Sequence, residues 1–235
     1  SRGLGDVYKR QISYLCQISN RNMKTRKIRT ALYNVLPGEK AHALMAPRPK
    51  YIEGIEGVHP CPPVNSAILA LIVPFENELA LPLIKRVNRG KYHGGQIAFP
   101  GGKMEKEDAD ALQTALRECH EEIGVPEEKV SILGVLSDIY IPLSNFNITP
   151  IVGTTLQLPD FILSQDEVEK VILVKLRDLF DDRNKTTHSF VRHDHKIIAP
   201  GYKIGENFIW GATAMIIAEL EQLMKTNTFN HLGKL

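Results

Sequence analysis

The chain has 235 residues, 43% of them hydrophobic and 24% charged, with net charge +2 and a pI near 8.3. That composition fits one well-filled soluble domain with an extension, or two small ones, and announces neither a nucleic-acid binder nor an acidic protein. The longest apolar run, Ala67 to Phe75, is too short to span a bilayer, and no secretory core is visible. Cys16, Cys61 and Cys119 are too few and scattered for a disulfide framework or zinc cage, which points to a reducing, cytoplasmic setting.

The opening residues are set apart from the fold. Asp6 to Gln11, "DVYKRQ", back-translates to GAT GTG TAT AAG AGA CAG, which resembles a transposon mosaic end used in sequencing libraries. Residues 1–22 are therefore read as a scar and disordered leader on an environmental gene of bacterial type, with Met23 as a natural start.

From Thr25, the spacing of Ile28, Ala31, Leu32, Val35 and Leu36 predicts a helix stopped by "PG" at 37–38. Pro-rich "MAPRPKY" (45–51) and "HPCPPVN" (59–65) read as linker. "SAILALIVPF" (66–75) and "ELALPLIKR" (78–86), joined by "EN", predict a hairpin, and "QIAFPGG" (96–102) a short strand ending in a glycine turn. A helix follows over about 109–123. Residues 130–141 and 148–158 read as strands, and 164–180 as an acidic turn, a strand and a short helix. "SFVRHDHKIIA" and "YKIGENFIWG" predict a further hairpin, and "ATAMIIAELEQLMK" (212–225) a final amphipathic helix. Strands and helices in this order suit a mixed α/β or α+β domain. The "HDH" at 193–195 falls in hairpin alternation and is assigned no site.

The segment "RECHEEIGV" (117–125) concentrates the chemistry. On a helical wheel Leu112, Ala115, Leu116, Cys119 and Ile123 form the buried stripe, while Glu118, Glu121 and Glu122 occupy a separate arc. Like charges spaced i, i+3 and i+4 cost about a few tenths of a kcal/mol per pair on an exposed helix. A solvated acidic face and a hard-cation site both fit three glutamates.

With "GGQIAFPGGKMEKEDADALQTAL" (94–116) before it, the stretch resembles the Nudix box: glycine, five residues, glutamate, seven residues, then Arg-Glu-apolar-x-Glu-Glu-x-Gly-apolar. Gly102 fills the first position and Arg117 to Val125 the second half, with Cys119 as the apolar member. Asp108 stands for the middle glutamate, and eight residues separate it from Arg117. The resemblance implies an α/β Nudix fold, a mixed β-sheet sandwiched between helices with an N-terminal helical extension. The implied division is leader 1–22, helix and linker 23–58, Nudix domain 59–228 and tail 229–235.

It also implies hydrolysis of a nucleoside diphosphate derivative, with Mg²⁺ or Mn²⁺ held by Gly102, Glu118, Glu121 and Glu122. Arg117 is expected to orient the glutamates. Glu121, Glu122 or Glu167 of "SQDEVEK" is the candidate base, with Glu167 chosen to reach in from the loop.

"IKRVNRGKYHGGQIAFPGG" (84–102) resembles the extra motif of the coenzyme A pyrophosphatase branch through Arg86, His93, Gly95, Gln96, Phe99, Pro100, Gly101 and Gly102. Val87 and Lys91 stand where that branch has Ser and Arg. The likeness continues through 139–153 and 209–217. Lys85, Arg86, Arg89 and Lys91 form a basic cluster suited to a substrate with an additional phosphate. Arg86, Arg89, Lys91, His93 and Gln96 are the candidate substrate-binding residues.

The implied substrate is coenzyme A or an acyl-coenzyme A, with no nucleic acid or membrane as partner and a homodimer left open. ADP-ribose or another nucleoside diphosphate is the enzymatic alternative. A catalytically silent Nudix binding module is the non-enzymatic one, opposed by the intact glutamates and the lack of a basic recognition helix.

Overall fold

The computed structural model describes residues 25–48, 61–88, 95–192 and 195–229. The leader, residues 49–60, Arg89, Lys91, His93, His193, Asp194 and the chain beyond 229 lie outside the described residues.

Two long strands form the predicted hairpin, β1 (Val64–Phe75) and β2 (Glu78–Arg86). Glu76 and Asn77 both have positive φ, 46° and 63°, the conformation of a two-residue turn whose twist matches the flanking strands. Two short strands follow, β3 (Ile97–Ala98) on β2 and β4 (Gly101–Lys103) on β1. Then come helix α3 (Ala111–Ile123), β5 (Ser131–Val135), β6 (Ile139–Ile141), β7 (Phe146–Thr154) and β8 (Val168–Lys175); helices α1 and α2, which precede β1, are described below. β7 runs parallel to β1 over nine register pairs from Val64↔Phe146 to Ile72↔Thr154, which makes the sheet mixed. β5 and β6 both pair antiparallel with β7, and β8 with β2.

Period-two alternation divides β1 between two cores. Ala67, Leu69, Leu71 and Val73 pack in the cluster that contains Ala115, Cys119 and Ile123 of α3. Ala70 and Ile72 pack in the opposite cluster. Both faces are covered, so the strand reads as a continuous apolar run.

The second face is closed by α1 (residues 25–32), α2 (Glu39–Met45) and, after the short helix α4 (Leu176–Leu179), the long helix α5 (Ala212–Phe229). Ile28, Leu32 and Met45 share one core with Ile216, Leu220 and Leu223. A three-stranded antiparallel sheet of β9 (Lys185–Arg192), β10 (His195–Ile204) and β11 (Asn207–Trp210) completes the molecule.

Four expectations change. The first helix stops at residue 32, leaving Val35 97% exposed, and α2 was not foreseen. The strand expected over 130–141 is two strands, because the Ser137 N–H turns out of the ladder to Glu219 on α5. The last hairpin gains a third strand. Helix α5 is not amphipathic: Thr213, Ala214 and every residue from Ile216 to Glu221 are buried. Its two buried acids have partners. Glu219 accepts from His42 (2.8 Å), the Ser137 hydroxyl (2.6 Å) and the Gly38 N–H (3.0 Å), and Glu221 pairs with Lys185 (2.8 Å).

Candidate active site

Helix α3 is delimited locally. The Asp110 carboxylate caps its start by accepting from the Gln113 N–H at 2.9 Å. Gly124, in the left-handed conformation with φ 71°, ends it and donates its N–H to His120 O. Ala115, Cys119 and Ile123 are buried as expected, while Leu112 and Leu116 are only partly so. Burial pushes the Cys119 thiol up to about 12, so it acts as an inert apolar residue.

Arg117 gathers the acidic groups. Its Nε donates to Asp108 Oδ1 (3.0 Å) and its Nη2 to Asp108 Oδ2 (3.0 Å) and Lys103 O (3.1 Å). Nη1 reaches Glu118 Oε1 (3.1 Å) and Glu121 Oε2 (2.9 Å). Asp108, 7% exposed, also accepts from the Thr114 hydroxyl and the Glu105 N–H. These hydrogen bonds, Arg117 foremost, hold its carboxyl well below the usual range in spite of burial.

Glu122 departs furthest from the helical wheel: it is fully buried. Its Oε2 accepts the Gly101 N–H at 2.9 Å. Its Oε1 lies 3.2 Å from Arg86 Nη1 yet has no aligned hydrogen bond, so the pair is an ion pair in distance only. Burial raises its pKa to about 7 against the pull of Arg86 and the Gly101 amide. Burial also raises Glu118, opposed by Arg117. The exposed Glu167 adds its negative charge to both glutamates, so the turn after residue 164 does approach them. Backbone bonds from Ser164 N to Glu122 O (3.0 Å) and from Ile162 N to Ile123 O (3.0 Å) fasten that segment to the end of α3.

The donor set suits a hard divalent cation in part. Glu122 offers a buried oxygen without a hydrogen bond, Glu118 lies beside it in charge, and a Cβ at Gly102 would come within 2.3 Å of Glu118 Oε1. A side chain there would displace the Glu118 carboxylate. Glu121 is turned to Arg117, its side chain 54% exposed. Among the described residues no three His, Cys, Asp or Glu side chains form a ready-made cage. Glu118, Glu122 and backbone oxygen with water therefore match a Mg²⁺-type ion better than a closed protein cage would.

Arg86 sits on the Glu122 side of this cluster, its backbone paired with Gln96 and Gly95 (3.0 and 2.9 Å). The expected basic cluster is partly neutralised: Lys85 pairs with Glu169 at 2.8 Å, and Arg86 faces Glu122. Among the described residues no helix is long and apolar enough to cross a membrane.

Comparisons with known proteins identify the family. The NUDIX domain model matches residues 65–193. The protein named uncharacterized Nudix hydrolase NudL of Enterobacter sp. (strain 638) is 34% identical over 161 residues, covering 67% of this chain and 82% of that protein. The NudL of Pectobacterium atrosepticum is 35% identical over 158 residues, covering 66% and 80%. Among solved structures, the NUDIX hydrolase from Nitrosomonas europaea is 20% identical, with a TM-score of 0.46 and coverage of 75% of this chain and 76% of that one. The matched span runs from the second residue of β1 past α3 and so contains Gly102, Arg117 and the glutamates, and the chain belongs to the Nudix hydrolase family.

Proposed function

We infer that the chain cleaves the diphosphate bond of coenzyme A or an acyl-coenzyme A, giving 3′,5′-ADP and 4′-phosphopantetheine or its acyl form. The carrying observation is the meeting of Glu118 and Glu122 with Gly101–Gly102 and Arg86 at one end of the sheet. Among diphosphates, the choice of coenzyme A rests on the motif at 84–102 and its basic residues.

A bound Mg²⁺ or Mn²⁺ would neutralise the diphosphate and lower the pKa of its water. Glu118 and Glu122 would hold that ion, with Glu121 available to it from its contact with Arg117. Arg117 fixes the rotamers of Glu118 and Glu121 and is itself fixed by Asp108. Glu167 aligns the attacking water and takes its proton. One P–O bond forms to that water as the bridging P–O bond breaks; each product keeps one phosphorus of the diphosphate, and the adenosine product also keeps its 3′-phosphate. Arg86, 3.2 Å from Glu122, is the described guanidinium placed to contact substrate phosphate beside the glutamates. Arg89, Lys91, His93 and Gln96 serve the remaining phosphate.

The test incubates the protein with Mg²⁺ or Mn²⁺ and coenzyme A, ADP-ribose or NADH, and separates the products. Coenzyme A should be cleaved fastest, to 3′,5′-ADP. Faster turnover of ADP-ribose would sink the substrate assignment, and binding without turnover of any member would favour the silent module.

A further inference from the structure

A cavity of about 590 Å³ lies next to the acidic cluster, within the size range of small-ligand sites. Its lining is Val87, Ile162, Leu163, Gln165, Val168 and Glu169. Val87 directly follows Arg86, and its N–H donates to Glu167 O at 2.9 Å. The rest of the lining comes from the 162–169 segment, fastened to the end of α3 through Glu122 and Ile123. The lining residues Val87 and Val168 directly follow Arg86 and Glu167 in the chain, two of the groups proposed to handle the diphosphate. Its apolar members include Ile162, which is 72% exposed. An isoleucine so open beside a charged site gains little from the fold itself.

We propose that this cavity is the subsite for the branched apolar segment that follows the diphosphate in coenzyme A. The inference rests on the coenzyme A reading and deepens it. In that substrate the diphosphate oxygen is joined by one methylene to a carbon bearing two methyl groups, then a hydroxyl and an amide. Val87, Ile162 and Leu163 meet the methyl groups. Gln165 and the second carboxylate oxygen of Glu169, whose Oε1 is held by Lys85, are the polar groups of the lining that would meet the hydroxyl and amide. ADP-ribose presents a polyhydroxylated ribose at the same distance from its diphosphate, and an apolar wall cannot satisfy those hydroxyls. The cavity therefore selects by chemistry next to the cleaved bond, independently of the 3′-phosphate at the other end.

The experiment measures kcat and KM for coenzyme A, dephospho-coenzyme A and ADP-ribose with wild type, Ile162→Ser and Val87→Thr. Neither side chain is buried, so both variants should fold, which their thermal unfolding checks. KM for coenzyme A and dephospho-coenzyme A should rise in parallel by about tenfold, the loss of roughly two buried methyl contacts, with kcat kept. ADP-ribose should be unchanged or improved. Coenzyme A cleavage with unmoved ratios, or an equal loss on all three substrates, overturns the subsite alone. Wild type that cleaves ADP-ribose and leaves coenzyme A intact overturns both the subsite and the functional reading.

Discussion

Arg86 at the end of β2 and Glu122 on α3 face each other at 3.2 Å across a fully buried carboxylate oxygen that has no hydrogen bond. The pair ties the sheet to the acidic helix while leaving that oxygen under-satisfied. A group held this way in a fold is costly unless a further partner arrives.

The cost has a pH signature. Glu122 titrates near 4.5 when unperturbed and near 7 in the metal-free fold. The native state therefore holds the proton more tightly. Stability is full below about pH 4.5 and is lost as pH rises through about 7, by roughly 3 kcal/mol. The Tm of the metal-free protein should fall by about 5–10 °C between pH 5 and 8. Glu122→Gln should flatten that fall and also weaken Mn²⁺ binding. Parallel Tm curves for wild type and variant would remove Glu122 as the cause.

Gly101 and Gly102 give a paired test of close approach. The three atoms nearest a Cβ at Gly102 all belong to the Glu118 carboxylate, the far end of a flexible side chain, with Oε1 at 2.3 Å. Gly102→Ala should therefore unfold within about 1 kcal/mol of wild type yet lose at least tenfold in Mn²⁺ affinity, because Glu118 must move. Gly101 has φ 154°, and its Cβ would lie 2.4 Å from the Ala67 carbonyl. Gly101→Ala should unfold far more easily. Equal stability loss in the two variants, by denaturant titration, would refute the distinction.

How far the sequence carried depends on whether one chain segment holds the signal. β1, β2 and α3 were readable because their apolar spacing, the "EN" turn and the acids on one helix are all local. Helix α2 escaped because seven residues, "EKAHALM", give too little periodicity. The polar partners escaped for another reason. Glu122 belongs to the polar arc of its own helix, and only Gly101 and Arg86, brought from β4 and β2, make its burial tolerable. Glu221 looks like a surface acid until Lys185 arrives from β9. Asp108 seemed a misplaced box residue, one position out of register. In three dimensions it is the counter-charge that sets Arg117, a role no spacing rule announces.

That role can be measured. Arg117 joins Asp108, Glu118, Glu121 and the Lys103 carbonyl through one planar guanidinium, which lysine cannot imitate. Arg117→Lys should cost about 2–4 kcal/mol, since Asp108 is left buried with less compensation. Asp108 is held below its ordinary pKa. Its contribution to stability is therefore present above the usual carboxylate range and lost as pH falls through the depressed value. The variant should accordingly lose its deficit relative to wild type in strong acid. A deficit unchanged down to acid unfolding, followed by circular dichroism, would show that Arg117 stabilises by packing alone.

Glu219 joins the N-terminal helices to the rest of the fold. Burial would raise its pKa, but bonds from His42, Ser137 and the Gly38 N–H win and hold it below the ordinary value. Those donors come from α2, the turn between β5 and β6, and the residue that precedes α2. Glu219→Ala leaves all of them facing a buried hole, a loss of about 3–5 kcal/mol. Glu219→Gln keeps the shape and one acceptor oxygen, so it should lose less. Because the damage lies between α2 and α5, α1 and α2 should open before the sheet does. Limited proteolysis of Glu219→Ala should then cut within residues 25–48, where the wild type resists, while the sheet core stays intact. Residues 25–48 as resistant as in wild type, or stability within about 1 kcal/mol of wild type, would show that Glu219 does not anchor those helices.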